Sequence, residues 1–338
     1  MIFKISSRID NYFTSLVLRR KSSFIYTFRP FILTMDLISI FDLSHAEIDA
    51  LLKRAEELKR ERRAGVKVRT ECAGQTLALI FEKPSTRTRV SFEVAMLELG
   101  GHVIRLNRDE LQLGRGERIR ETAKVLSSYV DAVMIRAYSH AAVEELARYA
   151  SIPVINGLTD FEHPCQILAD LQTIQEYKHK LKGVTVAWFG DGNNVCNSLI
   201  GGAALTGMNI RVACPKGYEP AREIVEKAEE RGCEVLITPN AEEAAAGADV
   251  LYTDVWVSMG DEAEREQRLK DLQRYQLNEE AVTRAKDDAI IMHCMPVHIG
   301  EEMTETVLNS DNSVIFEQAE NRLHAQKALL VHLLTSAE

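Results

Sequence analysis

Two successive series of alternating strand and helix patterns constrain the fold of this chain more than any other feature. Short apolar runs typical of buried strands, such as "TLALIF" (76–81), alternate with helical patterns in the first half. The alternation restarts near Lys182-Gly183 with "VTVAWFG" (184–190) and continues to "AIIMHCMP" (289–296). Strands that alternate with helices form parallel sheets, so we predict an α/β fold of two doubly wound parallel-sheet domains. Ligands of such sheets bind beyond the carboxyl ends of the strands, so we expect an active-site cleft between the domains.

The same patterns set the expected domain boundaries. We predict a first domain over residues 35–175 and a second domain over 176–317, connected by a helix across Leu171–Lys182. A further helical pattern over about 318–335 predicts a C-terminal helix within 318–338. We expect this last helix to pack back on the first domain.

Residues 1–34 differ in composition from the rest of the chain. They carry six lysine or arginine residues against one acid, Asp10, and are rich in serine, threonine and aromatic residues. An organellar transit peptide has this composition, but "MDLISIFDLS" from Met35 also reads as a natural domain beginning after an upstream extension. Both interpretations exclude 1–34 from the fold. We expect a cytoplasmic protein, or a mitochondrial matrix protein if the segment is a transit peptide.

Net charge and cysteine usage exclude several classes of protein. The formal net charge of −9 argues against a nucleic-acid partner. Six cysteines occur without a CxxC pair, which argues against a disulfide framework and favours a reducing compartment. No apolar run approaches the ~20 residues that cross a bilayer, so we expect no membrane partner.

The segment "FEKPSTRTRVSFE" (81–93) combines a strand end, a helix start and clustered cations. Ser85 and Thr86 begin a helical pattern that carries Arg87 and Arg89 in its first turn. A helix N-terminus disfavours cations, so these arginines indicate an anionic ligand as their partner. Hydroxyl donors and the bidentate fork of Arg87 suit a phosphate, although the segment has no GxxxxGK[ST] loop. The alternative is a solvated basic turn that neighbouring glutamates neutralise.

Other motifs suggest functions that the residues do not support well. "FGDGNN" (189–194) resembles a dinucleotide-binding loop, but Val195 replaces the third glycine and no acid ends the next strand, which disfavours an oxidoreductase. His293, Cys294 and His298 could suggest zinc, but adjacent strand residues face opposite sides of a sheet, which disfavours shared ligation by the first two. A cysteine hydrolase would need a histidine close to Cys294 in space, which a sequence cannot show. We expect no metal and no cofactor.

Several ordered motifs carry a family resemblance. The segment 81–93 is followed by "MIRAYSH" (134–140), "HPCQILAD" (163–170), "DVWVSMG" (254–260), "HCMP" (293–296) and "ENR" (320–322). Together they resemble the aspartate and ornithine carbamoyltransferase family over residues 36–338, and "SMG" with "HCMP" resembles its ornithine branch. The resemblance implies transfer of a carbamoyl group from carbamoyl phosphate to Nδ of L-ornithine, which gives citrulline and phosphate. It also implies a homotrimer, or a multiple of trimers, whose first domain binds carbamoyl phosphate and whose second domain binds ornithine.

The resemblance assigns one set of residues to carbamoyl phosphate. The matching positions are Ser85, Thr86, Arg87, Thr88, Gln112, Arg136, His163, Gln166, Cys294, Met295 and Arg322. In the family, the glutamine that corresponds to Gln112 reaches into a neighbouring subunit's phosphate site. The chemistry of the residues fits this assignment, because a strand-end cation such as Arg136 needs an anionic partner when it is buried. His163 can donate to the carbonyl oxygen, and the amide oxygen of Gln166 can accept from the carbamoyl NH2.

A second set of residues is assigned to the amine. The nucleophile is a primary amine, which is protonated in water at neutral pH. By resemblance Asp254 and Cys294 contact this amine, and a carboxylate or thiolate there would give the proton an acceptor. With Arg136 and His163 they form the expected catalytic set. The residues expected to hold the amino-acid end of ornithine are Asn194, Ser258 and Met259.

Two positions depart from the family's pattern. Met295 stands where leucine is usual in the family. This replacement has a mild effect if the residue contacts the ligand through its backbone carbonyl oxygen. Ile299 stands where the family commonly has a basic residue in "HRGEE". The lost basic residue leaves a related amine such as putrescine open as the acceptor. A catalytically inactive, anion-binding regulatory paralogue is the non-enzyme alternative.

Overall fold

The strands and helices of the computed structural model follow the sequence patterns closely. The structure describes residues 36–108, 111, 116–257 and 262–335. The strands are β1 (Thr76–Phe81), β2 (His102–Asn107), β3 (Ala132–Arg136), β4 (Val154–Leu158), β5 (Thr185–Phe189), β6 (Asn209–Ala213), β7 (Val235–Thr238), β8 (Val250–Thr253) and β9 (Ile290–His293). The helices are α1 (His45–Arg63), α2 (Thr86–Glu98), α3 (Ile119–Leu126), α4 (His140–Tyr149), α5 (Pro164–Lys178), α6 (Asn194–Thr206), α7 (Arg222–Glu229), α8 (Ala241–Ala245), α9 (Arg265–Leu272), α10 (Glu279–Arg284), α11 (Glu305–Leu308) and α12 (Ile315–Thr335).

The first sheet has the strand order β2-β1-β3-β4, and all its pairings within the described residues are parallel. Five of the six residues of β1 are buried, as expected of a strand covered on both faces. The strand order reverses beside β1, which makes this position a topological switch point. Phe81 pairs with Asn107 on one side and with Arg136 on the other. The carboxyl ends of these three strands therefore lie together at one edge.

The second sheet has the order β7-β6-β5-β8-β9 and is likewise parallel in the described part of the chain. Thr253, the last residue of β8, pairs with Phe189 of β5 and with His293 of β9. Asp254 and Cys294 thus leave neighbouring strand ends, although they are far apart in sequence. The two sheets confirm the predicted fold class.

The 21-residue helix α12 packs across α1, α2 and α5. Nζ of Lys59 donates to Oδ1 of Asn321 at 2.7 Å, and Lys327 pairs with Glu98 of α2. Both lysines are buried, and burial of a cation requires such partners. None of the helices in the described ranges combines the length and apolar composition that a membrane crossing needs.

The helix ends differ in detail from the predicted ones. Helix α12 begins at Ile315, three residues before the predicted start. Helix α5 spans Pro164–Lys178, so the predicted connecting helix over Leu171–Lys182 is the second half of α5 and ends four residues earlier than predicted. His179 ends α5 with a φ of 57°, a left-handed conformation that stops the helix without a glycine.

Two strands end earlier than their apolar runs suggest. Strand β8 ends at Thr253 and β9 ends at His293, although the predicted runs extend over 249–256 and 289–296. Apolar composition continues beyond the last ladder hydrogen bond, so composition alone cannot locate the end. As a result Asp254 and Cys294 lie just past the sheet edge, where a ligand can reach them.

Candidate active site

Helix α2 begins as an anion-binding helix would. Ser85 is the N-cap residue, and its Oγ accepts the backbone N–H of Thr88 at 3.2 Å. No acidic residue lies in the first turn of α2. The partial positive charge of the helix end is therefore not neutralised within that turn, which favours an anion at this position.

The two arginines in the first turn of α2 have different surroundings. Arg89 lies at the surface, where its Nε donates to Oε1 of Glu93 at 3.2 Å. Arg87 lines a cavity between the two sheets, and its Nη2 donates to the carbonyl oxygen of Met295 at 2.8 Å. Arg87 is therefore the arginine of this turn that can reach a ligand in the cavity.

Two further guanidinium groups are buried near Arg87. Arg136 ends β3 and Arg322 lies on α12, and they are 7% and 3% exposed. Burial, followed by repulsion from Arg322 and Arg87, lowers the pKa of Arg136 to about 10. Nε of Arg136 is shielded from solvent and has no hydrogen-bond partner among the described residues. Three clustered cations with an unpartnered donor are surroundings that a bound phosphate would stabilise.

Helix α5 places His163 and Gln166 beside these arginines. His163 is the N-cap residue, followed by Pro164 at the first helical position, and its backbone N–H donates to Oγ of Ser198 at 2.8 Å. Burial, followed by the nearby arginines with Arg322 foremost, holds the pKa of His163 well below its usual range, so the imidazole is neutral. Its Nδ1 has no hydrogen-bond partner in the described part of the protein. A neutral imidazole can donate to a substrate oxygen without adding another positive charge.

Across the cavity, Cys294 and Asp254 are in direct contact. Sγ of Cys294 lies 2.8 Å from Oδ1 of Asp254, and Nδ2 of Asn193 donates to Oδ2 of Asp254 at 2.9 Å. Burial and then the Asp254 carboxylate raise the pKa of Cys294 well above its usual value. Cys294 is therefore a thiol that donates its hydrogen to the carboxylate. The sequence left a carboxylate and a thiolate open as proton acceptors, and this geometry favours the carboxylate.

These groups share one cavity of about 620 Å³ between the two sheets. The predicted site residues that line it are Ser85, Thr86, Arg87, Thr88, Arg136, His163, Gln166, Asn194, Asp254, Cys294, Met295 and Arg322. The other predicted residues, Gln112, Ser258 and Met259, lie outside the described residues. The cavity is positive on the side of the first sheet and carries the Asp254 carboxylate at the end of β8 in the second.

Sequence reasoning missed several residues that line this cavity, among them Asp191, Asn193 and Arg268. Asp191 and Asn193 follow β5, and their position at the carboxyl end of a strand is a signal that could have identified them. Nη1 and Nη2 of Arg268 on α9 lie 3.2 and 2.8 Å from Oδ2 of Asp191. The sequence around Arg268 gives no such signal, because its contact with Asp191 spans 77 positions.

Close packing, rather than nucleotide binding, explains the glycines of "FGDGNN". A Cβ added to Gly192 would lie 2.3 Å from the backbone nitrogen of Pro220, which no side chain could tolerate. Gly190 has a φ of 113°, and a Cβ there would lie 3.0 Å from Nε1 of Trp256. The close approach of neighbouring segments thus explains both glycines.

A larger cleft of about 1150 Å³ lies beside α4, but its charges do not suit an anionic substrate. Its lining carboxylates are Asp36, Asp42, Glu144, Asp160, Glu162 and Glu223. These groups would repel a phosphorylated ligand. The cavity that Arg87, Arg136 and Arg322 line is therefore the candidate active site.

Among the described residues, two groups of side chains have their ligand atoms within 4.8 Å of one another, as a metal ion would require. They are Asp254 with His293 and Cys294, and His298 with Glu301 and Glu302. The expectation that His293 and Cys294 must face opposite sides is wrong, because β9 ends at His293. In this first group Nδ1 of His293 accepts the N–H of Met295 at 2.8 Å, and its Nε2 lies 3.1 Å from Oε1 of Glu302. Both ring nitrogens are engaged within the protein, which disfavours metal ligation there.

Two family models match the chain in succession. The carbamoyl-P binding domain of aspartate/ornithine carbamoyltransferase matches residues 35–176, and the Asp/Orn binding domain matches residues 182–333. The chain belongs to the aspartate/ornithine carbamoyltransferase family.

Individual relatives come from the ornithine branch of the family. Ornithine carbamoyltransferase from Archaeoglobus fulgidus is 57% identical over 298 residues, which cover 88% of this chain and 97% of the relative. The ornithine carbamoyltransferase of Methanosarcina mazei is 54% identical over 299 residues, 88% of this chain and 99% of its own length. The solved ornithine carbamoyltransferase from Pyrococcus furiosus superposes with a TM-score of 0.86 at 50% identity, covering 90% of this chain and 98% of that one.

Proposed function

We propose that this cavity transfers the carbamoyl group of carbamoyl phosphate to the δ-amine of L-ornithine, giving L-citrulline and phosphate. One observation carries the proposal: a cluster of three guanidinium groups and a carboxylate–thiol pair line the same cavity. A phosphorylated donor needs the first feature, and an ammonium acceptor needs the second. The family models and the similar ornithine carbamoyltransferases support the same activity.

In carbamoyl phosphate, the phosphate is both the group that the protein binds and the leaving group. In our proposal the first turn of α2, with Ser85, Thr86, Arg87 and Thr88, holds the phosphate and stabilises its growing charge as the C–O bond breaks. Arg136 and His163 donate to the carbamoyl oxygen, which becomes negative when the amine attacks. Their unpartnered nitrogens support these roles, because a buried donor without a partner is costly until a ligand arrives.

On the acceptor side, the ammonium of ornithine must lose a proton before its nitrogen can attack. We assign this proton to the carboxylate of Asp254, which the thiol of Cys294 and the amide of Asn193 hold in place. The neutral nitrogen then forms the new C–N bond, the C–O bond to phosphate breaks, and the departing phosphate takes the second proton from that nitrogen. Asn194, together with Ser258 and Met259, would hold the amino-acid end of ornithine.

Rate measurements with several amine acceptors test the assignment. Ornithine, putrescine, N-acetylornithine and aspartate are offered separately with carbamoyl phosphate, and the carbamoylated product and phosphate are quantified. We expect ornithine to be preferred by a large factor. A preference for putrescine would support the alternative that Ile299 left open, whereas carbamoyl-phosphate binding without any product would support the regulatory paralogue.

We further propose that the active molecule is a homotrimer, or a multiple of trimers, with sites at subunit interfaces. Strand β2 is the outer strand of the first sheet, and Val90 and Leu97, seven residues apart on one face of α2, have side chains that are 50% and 60% exposed. Apolar side chains grouped on one surface are typical of a protein interface. Gln112 follows β2 closely in sequence, which supports its predicted reach into a neighbouring site.

The proposal also assigns each substrate to one half of the chain. Residues 35–175 would bind carbamoyl phosphate, 176–317 would bind ornithine, and the helix within 318–338 would return to the first half. The ranges of the two family models and the contribution of Arg322 to the phosphate side support this division. We propose a cytoplasmic location, which the archaeal relatives and the free cysteines support.

A further inference from the structure

The amide of Gln166 lies between two groups of opposite hydrogen-bonding character. Its Nε2 donates to Oδ1 of Asp170 at 2.8 Å, and its Oε1 accepts from Nη1 of Arg322 at 2.7 Å. Gln166 and Arg322 line the active-site cavity, and Asp170 is fully buried one helical turn further along α5. The amide thus has an anion on one side and a cation on the other.

These neighbours leave the amide one orientation. An ionised carboxylate can only accept hydrogen bonds, and a guanidinium can only donate them. If the amide rotated by half a turn, its NH2 group would face the donors of Arg322 and its oxygen would face the oxygens of Asp170. Burial raises the pKa of Asp170 to about 6, while hydrogen bonds from Gln166, Gln318 and Tyr252 oppose the rise. The carboxyl group is therefore ionised at neutral pH, and the amide orientation follows from chemistry.

We propose that Asp170 is a positioning residue that gives the active site its selectivity for a carbamoyl group. Asp170 holds the NH2 group of Gln166 away from the substrate, so that the amide oxygen can accept a hydrogen bond from the substrate's NH2 group. A donor that carries a methyl group instead, such as acetyl phosphate, cannot make this hydrogen bond. The inference rests on the proposed function, because it assumes that carbamoyl phosphate occupies this cavity.

Further hydrogen bonds fix the position of the Asp170 carboxylate that orients the Gln166 amide. Oδ1 also accepts from Nε2 of Gln318 at 2.8 Å, and Oδ2 accepts from the hydroxyl of Tyr252 at 2.8 Å. The side chains of Asp170, Gln318 and Tyr252 are completely buried, so the carboxylate cannot exchange these partners for solvent. Within the described residues Tyr252 bonds the carboxylate but makes no hydrogen bond to Gln166. Tyr252→Phe therefore removes one hydrogen bond to Asp170, together with the one that its hydroxyl accepts from Gln318, and serves as a control.

The experiment compares the binding of two phosphorylated ligands of nearly the same shape. Calorimetric titration gives the dissociation constants of carbamoyl phosphate and acetyl phosphate, and their ratio measures selectivity for the NH2 group. We expect Asp170→Ala to reduce the ratio about tenfold, the value of one hydrogen bond, and Tyr252→Phe to leave it within about twofold. If Asp170 acted only as a counter-charge to Arg322, both ligands would lose affinity equally and the ratio would not move.

A double-mutant cycle shows whether Asp170 acts through Gln166. We expect Asp170→Ala to add no further loss of selectivity in a Gln166→Ala background. An unchanged ratio in Asp170→Ala, or losses that multiply in the double variant, overturns the proposal. Should Asp170→Ala not fold, Asp170→Leu fills the same space without a hydrogen-bond acceptor, and the same ratio of dissociation constants is measured with it. A wild-type protein that forms no citrulline contradicts the proposed function instead, whereas one that forms citrulline without preferring carbamoyl phosphate contradicts only the role of Asp170.

Discussion

Sγ of Cys294 donates to Oδ1 of Asp254 at 2.8 Å, although the two residues are 40 positions apart. The carboxylate keeps the cysteine protonated, because burial and the adjacent negative charge both raise the pKa of the thiol. Because Cys294 keeps its hydrogen, the negative charge of the pair is on the Asp254 carboxylate. This division makes the carboxylate the proton acceptor for an incoming ammonium group and gives Cys294 a supporting role.

The first prediction concerns this pair. Asp254→Asn keeps the shape of the side chain but removes the proton acceptor, so we expect kcat to fall by about 100-fold or more. Cys294→Ala should reduce activity less, because the carboxylate remains. Steady-state kinetics and calorimetric titration check the prediction, and both variants should impair ornithine use more than carbamoyl-phosphate binding. Equal loss of affinity for both substrates would show that the pair has a general structural role.

The second prediction concerns the pH dependence of the rate. The pKa of His163 is lowered, so its imidazole is already neutral at neutral pH and stays neutral until the pH falls well below the usual histidine range. At pH values above the pKa of Asp170, which is about 6, a loss of activity on acidification therefore comes from the ammonium group of ornithine, which holds its proton more firmly. We expect activity to fall from about pH 9 to pH 6 in the wild type and in His163→Gln, with a lower rate in the variant. A flat profile, or an acid limb that disappears in His163→Gln, contradicts this assignment.

The third prediction separates the two arginines of the first α2 turn. Arg87→Ala should weaken carbamoyl-phosphate binding by on the order of 2–4 kcal/mol, because a charge-assisted bidentate contact is lost. Arg89→Ala is the matched control, since it removes the same charge from the same turn but only a surface pair with Glu93. Calorimetry measures binding, and thermal unfolding checks that both variants fold. Near-normal binding by a stable Arg87→Ala protein would rule out the phosphate role.

The fourth prediction tests whether sites are shared between subunits. Arg87→Ala and Gln112→Ala are each expected to be poorly active, and equal amounts are unfolded, mixed and refolded. In a closed head-to-tail ring, a site is intact where one chain supplies Arg87 and its neighbour supplies Gln112. Random mixing should then restore about a quarter of wild-type activity. Activity that stays at the mean of the two parents, despite demonstrated subunit exchange, would exclude shared sites.

Local sequence rules were sufficient for the fold class and for the start of the helix that carries Arg87, whereas Arg136, His163, Gln166 and Arg322 were assigned with the help of the family resemblance. The run 76–81 forms β1 at its predicted bounds, because a continuous apolar run between polar segments is buried as a strand. Ser85 caps α2 as expected, since a hydroxyl before a helical pattern satisfies a free N–H group. The ends of β8 and β9 were less predictable, because the last ladder hydrogen bond depends on the neighbouring strand.

The sequence by itself determined the two parallel sheets and the residue types that gather at their carboxyl ends, because strand and helix periodicity are local properties of a chain. Only the tertiary structure decided how those residues act on one another. It placed Asn193 against Asp254, Arg268 against Asp191, and Gln166 between Asp170 and Arg322. It also decided that Cys294 is a thiol and that His163 is neutral. A protonation state depends on burial and on charges brought close in space, and neither can be read from neighbours in sequence.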